Sequence, residues 1–130
     1  MKKILFLSLL IAFGCKQIET SDQTSTPTFG IVIHGGAGTI LRANMTPERE
    51  AAYREVLAEA IQVGHTILKN GGSSQEAVEK TIHIMEDSPL FNAGKGAVLT
   101  SDETIELDAS FMHGAQLDAG AISGVKTIRH

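Results

Sequence analysis

Apolar residues are distributed along this chain in three distinct patterns. The first is a continuous β-branched run, Phe29 to His34 (FGIVIH), that ends in glycines. A short unbroken apolar run bounded by turn residues predicts a strand buried on both faces. The second pattern has helical spacing. Tyr53, Leu57, Ile61, Gly64 and Leu68 recur at close to 3.6 residues and mark one face of a helix. Thr46 supplies an N-cap hydroxyl and Pro47 suits the first helical position. Glu48 and Glu50 favour the positive end of the helix dipole. Asn70-Gly71-Gly72 ends this helix, and Ser73 with Glu76 forms a capping box for a second one. Val78, Ile82 and Met85 are its expected apolar stripe, and Ser88-Pro89 stops it. The two helices should form an antiparallel hairpin.

The third pattern begins after Phe91. Residues 97–100 and 104–108 flank Ser101-Asp102-Glu103, which predicts a β-hairpin. Residues 119–128 (AGAISGVKTI) read as a further strand, with glycines that allow close backbone packing. No internal repeat is present. An order of strand, two helices and then several strands predicts an α+β fold with helices layered on a sheet.

The first 28 residues look different. Lys2 and Lys3 precede an apolar run from Ile4 to Phe13, followed by Gly14 and Cys15. This is secretory leader architecture. The run would be roughly 15 Å long as a helix, against about 30 Å for a bilayer core, so it is too short to span. Ala12-Phe13-Gly14-Cys15 resembles a bacterial lipobox, in which cleavage leaves Cys15 as a lipidated N-terminus. It departs from that pattern at Ala12, where Leu is usual, and at Phe13, where a small residue is usual. Residues 16–28 (KQIETSDQTSTPT) are polar and Ser/Thr-rich, as expected of a flexible tether. The expected organisation is therefore a leader over 1–15, a tether over 16–28 and one domain over 29–130. The expected location is outside the cytoplasm, either periplasmic or anchored to the membrane by lipid.

Composition narrows the functional classes. Of 130 residues, 42% are hydrophobic and 20% charged, which is ordinary for a globular chain. The net charge of −4 and the lack of a basic patch argue against a nucleic-acid partner. Aromatic residues are 5%, with no Trp, so no stacking platform is evident. The single cysteine excludes an internal disulfide framework.

Chemistry-bearing motifs are sparse. His34-Gly35-Gly36-Ala37-Gly38 directly follows the first predicted strand. It reads either as a structural turn or as a cradle of exposed N–H groups. His34, His65, His83, His113 and His130 show no zinc-site spacing. Glu86-Asp87 reads as a solvated helix end. There is no G-x-S-x-G elbow, and Ser110 and Ser123 have no evident activating partner.

Three blocks carry more specific information: residues 31–40 (IVIHGGAGTI), 85–114 (MEDSPLFNAGKGAVLTSDETIELDASFMHG) and 120–130 (GAISGVKTIRH). Together, in this order and spacing, they resemble plant-type L-asparaginases, also called isoaspartyl peptidases, of the N-terminal-nucleophile hydrolases. The resemblance runs from Phe29 to His130 and covers less than half of a full family member. It implies the N-terminal part of an αββα sandwich, completed by a C-terminal (β) segment, and dimers of processed subunits. It implies hydrolysis of L-asparagine or a β-aspartyl dipeptide by a threonine freed through autocleavage, whose own α-amino group serves as base. That threonine lies further along family members than the matched stretch. No cofactor is implied for catalysis.

Residue by residue, Asn92 matches an asparagine beside the nucleophile. Backbone carbonyls of Met85, Glu86, Ser88, Phe91, Ala93 and Lys95 match a loop that holds a structural sodium ion in bacterial members. Main-chain ligands tolerate side-chain change, although Lys95 brings an ammonium close to that loop. His34, Gly35, Gly36 and Gly38 match a structural glycine loop near the active-site floor. Two other readings compete with this one: a glycosylasparaginase-like amidohydrolase, and a truncated, non-catalytic surface lipoprotein. If Cys15 is lipidated, Cys15→Ala releases the protein from the membrane fraction on cell fractionation, whereas retention points to a different anchor.

Overall fold

The computed structural model describes residues 28–36 and 42–130. The expected leader with Cys15, most of the expected tether, and Gly38 lie outside the described residues. Two helices, α1 (Pro47–Lys69) and α2 (Ser74–Glu86), are followed by an antiparallel pair, β1 (Leu107–His113) and β2 (Asp118–Val125). Short 3₁₀ turns occur at Arg42–Asn44 and Gly94–Gly96. The described content is α+β. Among the described residues no helix is long and apolar enough to cross a membrane.

The helix boundaries follow from local chemistry. Thr46 caps α1 by accepting the Arg49 N–H at 3.2 Å, and Pro47 opens the first turn. Arg54 and Glu50 pair at 2.7 Å across one turn. The chain reverses at Gly71, whose φ of +82° suits a residue without Cβ. Ser73 then caps α2 by accepting the Glu76 N–H at 3.1 Å. The helices meet through small residues. Ala60 and Gly64 of α1 face Ala77 and Thr81 of α2, and all four are buried. A Cβ on Gly64 would run into the side chains of Thr81 and Ile31. Backbones this close leave no room for larger residues.

This seam changes the expected α2 stripe. Met85 is buried as expected, but Val78 and Ile82 remain 43% and 42% exposed. The helix turns Ala77 and Thr81 toward α1, and so presents Val78 and Ile82 to a groove of about 790 Å³ shared with the β-hairpin. The core shares Ala60 with this seam and lies toward the start of α1 and the end of α2. Ala60, Met85 and Phe91 form it, with Ile33, Tyr53, Val56 and Leu57 packed around them.

Two strand expectations also need correction. Residues 29–34 have no hydrogen-bonded ladder among the described residues, and they are not buried on both faces. Ile31 and Ile33 are half-buried, while Val32 between them is 94% exposed. One face rests on the helices, and the other has no neighbour among the described residues. The expected hairpin over 97–108 retains only its turn, with Thr100 N–H donating to Thr104 O at 2.8 Å and Glu103 at φ +59°. The ladder lies further on. β1 pairs with β2 around a turn at residues 114–117, and β2 overlaps the expected 119–128 strand.

β2 carries a bulge. Leu107 faces Val125 and Ala109 faces Ile122, so Asp108 alone opposes both Ser123 and Gly124. The Asp108 carboxylate closes the gap by accepting from the Ser123 hydroxyl at 2.7 Å and the Gly124 N–H at 2.9 Å. These two bonds, the hydroxyl first, hold its pKa below the ordinary aspartate range. Ser123 thus does have a partner, and it is a latch on the bulge rather than an activating base.

A two-stranded ribbon is all edge, and such ribbons are marginal alone. Met112 and Ile122 on the ribbon, and Val98 and Leu99 before it, are largely exposed. The 130-residue chain by itself should therefore give a broad, weakly cooperative calorimetric transition. A sharp two-state melt of the monomer contradicts this.

Candidate functional site

The segment that follows α2 is the most constrained irregular stretch of the structure. Asp87 caps the helix, and the Ser88 N–H donates to Met85 O at 3.2 Å. Ser88 is buried, and its hydroxyl accepts the Leu90 N–H at 3.3 Å, which turns the chain back across the helix end. Phe91 then inserts into the core. Its ring meets Tyr53 edge-on, with centroids 5.6 Å apart and planes at 83°. The Tyr53 hydroxyl donates to Leu90 O at 2.7 Å. The residue next to this anchor is Asn92.

Asn92 Oδ1 accepts the Val98 N–H at 2.9 Å and closes a loop of seven residues. The partner is a donor, so the acceptor must be the carbonyl end of the amide. That leaves Nδ2, which among the described residues donates to no partner. Asn92 lines a cleft of about 910 Å³ whose other wall includes His34, Gly35 and Gly36. Gly35 lies directly over the anchor, so that a Cβ there would sit 3.4 Å from Leu57 and 3.7 Å from Phe91. Gly36 has φ of +106°, and its N–H donates to His34 Nδ1 at 3.2 Å. Of the two readings of the glycine segment, the described part is a tight turn whose Gly36 N–H is already used. The structure thus brings His34, Gly35 and Gly36 to the same cleft as Asn92, although 56 or more residues separate them in sequence.

The six expected carbonyl positions fall in the same loop, from Met85 to Lys95. The loop folds tightly on itself. A Cβ on Gly94, at φ +50°, would lie 2.5 Å from Glu86 O. A Cβ on Gly96 would run into Phe91 O and lie 2.8 Å from Pro89 O. Met85 O and Ala93 O each accept one N–H, from Ser88 and Gly96, which leaves each a second lone pair. Of the six expected oxygens, those of Glu86 and Phe91 lie against glycines whose Cβ would not fit, and main-chain oxygens are a donor type suited to a hard cation. The Lys95 side chain is exposed, and its charge is felt at Asp87, where it helps to lower the carboxyl pKa.

The Glu86-Asp87 pair is not simply solvated. Arg129 Nη2 meets Asp87 Oδ1 at 2.6 Å, and His130 Nδ1 meets Glu86 Oε2 at 2.9 Å. The Arg129 hydrogen bond is the main reason the Asp87 pKa falls below the ordinary range. These contacts clamp the segment after β2 onto the end of α2. They span 42 and 44 residues, and no local pattern announces them. A cation at a helix C-terminus is also favoured by the helix dipole.

Gly96→Ala should open this loop, because the added methyl overlaps main-chain oxygens that cannot swing away. A loss of about 1–3 kcal/mol is expected from such overpacking. It is measurable as a lower denaturation midpoint for protein expressed from the whole reading frame, and an unchanged midpoint contradicts the packing described.

Residues 26–130 match the family model described as asparaginase. The chain is 48% identical over 100 residues to an isoaspartyl peptidase of Salmonella typhimurium, covering 77% of this chain and 32% of that protein. It is 47% identical over 100 residues to an isoaspartyl peptidase of Escherichia coli, covering 77% and 31%. It is 44% identical over 100 residues to a plant-type L-asparaginase of Pyrococcus furiosus, again covering 77% and 31%. The chain spans about a third of the length of these relatives. The anchored loop, the glycine turn and the β-hairpin all lie inside the matched region, and the chain belongs to the asparaginase family.

Proposed function

We propose that the protein carrying this sequence hydrolyses the side-chain amide of L-asparagine and the β-peptide bond of isoaspartyl dipeptides. In this reading the described residues are the front part of an αββα sandwich, and a C-terminal segment supplies an N-terminal threonine exposed by self-cleavage. The threonine hydroxyl adds to the substrate carbonyl while its own α-amino group takes the proton. Donors around the developing oxyanion stabilise the tetrahedral intermediate. Ammonia or an amino acid leaves, and water releases aspartate from the acyl-enzyme.

The observation that carries this reading is the fixed amide of Asn92. The Val98 N–H holds its oxygen, so the Nδ2 donor is left without a partner among the described residues, on a residue that lines the cleft. A donor held on a rigid loop costs little reorganisation when it orients a hydroxyl or a water. His34, Gly35 and Gly36 form the opposite wall, where small residues admit a close approach. The main-chain oxygens of Met85, Glu86, Ser88, Phe91, Ala93 and Lys95 would hold a sodium ion that stiffens the loop bearing Asn92. Such an ion would be held by the carbonyl dipoles, would fix their mutual positions and would take no part in bond-making. Export through the leader, lipidation at Cys15, and dimers of processed subunits belong to the same proposal.

Protein expressed from the whole reading frame should split into two pieces, the second starting with threonine, and should turn over a β-aspartyl dipeptide. Asn92→Ala should lower kcat by about 10²-fold, the cost of a misplaced reacting group, with the fold retained. The 130-residue chain alone should show no turnover. Uncleaved, inactive full-length protein would overturn the proposal, as would turnover by the 130-residue chain or an Asn92→Ala variant with undiminished kcat.

A further inference from the structure

The end of α2 gathers a second set of side chains that the proposed hydrolysis does not use. His83 and Glu86 are three residues apart on α2 and therefore share a face. The segment after β2 returns to this face and adds His130. One ligand atom from each of the three lies within 4.8 Å of the others. The His83 and His130 rings stack with centroids 4.2 Å apart and planes at 30°, and His130 Nδ1 touches Glu86 Oε2 at 2.9 Å. The His130 and Glu86 side chains are only 22% and 21% exposed.

We propose that His83, Glu86 and His130 form a binding site for a divalent transition-metal ion of the zinc type. Two imidazoles and one carboxylate are a donor set that suits zinc, nickel or copper and discriminates against magnesium and calcium. Tetrahedral zinc bonds to nitrogen and oxygen at about 2.0–2.2 Å, which sets its ligand atoms about 3.4 Å apart. The rings are stacked at 4.2 Å, so binding requires them to turn out of the stack until both in-plane lone pairs converge on the ion. His83 sits in the last turn of α2 and His130 in the irregular segment after β2. In the metal-free state His130 and Glu86 satisfy each other, and binding exchanges that bond for two to the ion. A carboxylate stands behind His130, just beyond hydrogen-bond reach in the metal-free state. Asp87 Oδ2 lies 3.7 Å from His130 Nε2, and Arg129 at 2.6 Å holds that carboxylate. A carboxylate behind a ligating imidazole fixes the ring and raises its basicity. The site is separate from the proposed sodium loop, which uses the Glu86 carbonyl and not its side chain. An ion here would staple the segment after β2 to the helix end, 44 residues away in sequence.

The test uses untagged protein from the whole reading frame, stripped with a chelator and titrated with zinc chloride alone by calorimetry. Binding of one ion per chain is expected, with a visible absorption band of low-coordinate geometry when cobalt(II) replaces zinc. His83→Gln, Glu86→Gln and His130→Gln should each weaken zinc binding at least by the roughly 10–100-fold that follows loss of a mere outer-shell partner. His65→Gln, on the far part of α1, should leave it unchanged. Circular dichroism of each metal-free variant confirms the fold. If one variant fails to fold, the other two and the wild-type cobalt spectrum still decide. Absence of stoichiometric binding to the wild type, or binding that survives both His83→Gln and His130→Gln, overturns the proposal. Because the readout is metal binding, it stands or falls independently of hydrolytic activity.

Discussion

The described structure depends on one aromatic anchor. Phe91 is buried between α1 and the end of α2, edge-on to Tyr53, and the Tyr53 hydroxyl holds the main chain one residue earlier. Burying a phenylalanine is worth about 1.5–3 kcal/mol, and an aromatic pair adds about 0.5–1.5 kcal/mol. The neighbouring residues take their places from this anchor. Asn92 follows it directly, the carbonyl-lined loop closes around it, and Gly35 passes over its ring. A Cβ at position 35 would rest in van der Waals contact with Leu57 and Phe91.

The helix pair makes that anchor rigid. Its seam of Ala60, Gly64, Ala77 and Thr81 allows very close approach, which sets α1 and α2 in one relative position. The end of α2 then serves as a hub. Its backbone starts the anchored loop, while its side chains receive Arg129 and His130 from the far end of the chain. The β-hairpin is held differently. Its internal order comes from the ladder and from the Asp108 latch at the bulge, and it shares a groove with α2 rather than a packed interface. Apolar side chains on both groove walls, among them Ile82, Phe111 and Ile122, are left partly open. In the proposed sandwich, further strands and helices would cover such surfaces.

Much of this was legible in the chain itself. The caps at Thr46 and Ser73, the glycine reversal at Gly71 and the stop after Asp87 are short-range chemistry, and all lie where the pattern placed them. The α1 stripe through Tyr53 and Leu57 does face the core. The α2 stripe misled in part, because hydrophobicity marks Val78 and Ile82 but cannot say that the small residues Ala77 and Thr81 form the seam. Strand readings suffered most. Residues 29–34 have strand composition, yet a ladder requires a partner, and composition cannot supply one. The turn at residues 100–104 was visible, while the pairing of β1 with β2 was displaced along the chain.

The sequence by itself determined where helices start and stop, and it identified the family through three ordered blocks. Both depend on interactions between residues near one another in the chain, or on residue identities directly. Only the tertiary structure decided that the Asn92 amide turns its oxygen to Val98, that Asp108 latches Ser123 and Gly124, and that Glu86 and Asp87 meet His130 and Arg129. The last two join positions 15 to 44 residues apart, where loop closure and packing, rather than spacing, choose the partner. The Asn92 bond spans only six residues, but its direction follows from how the anchored loop folds.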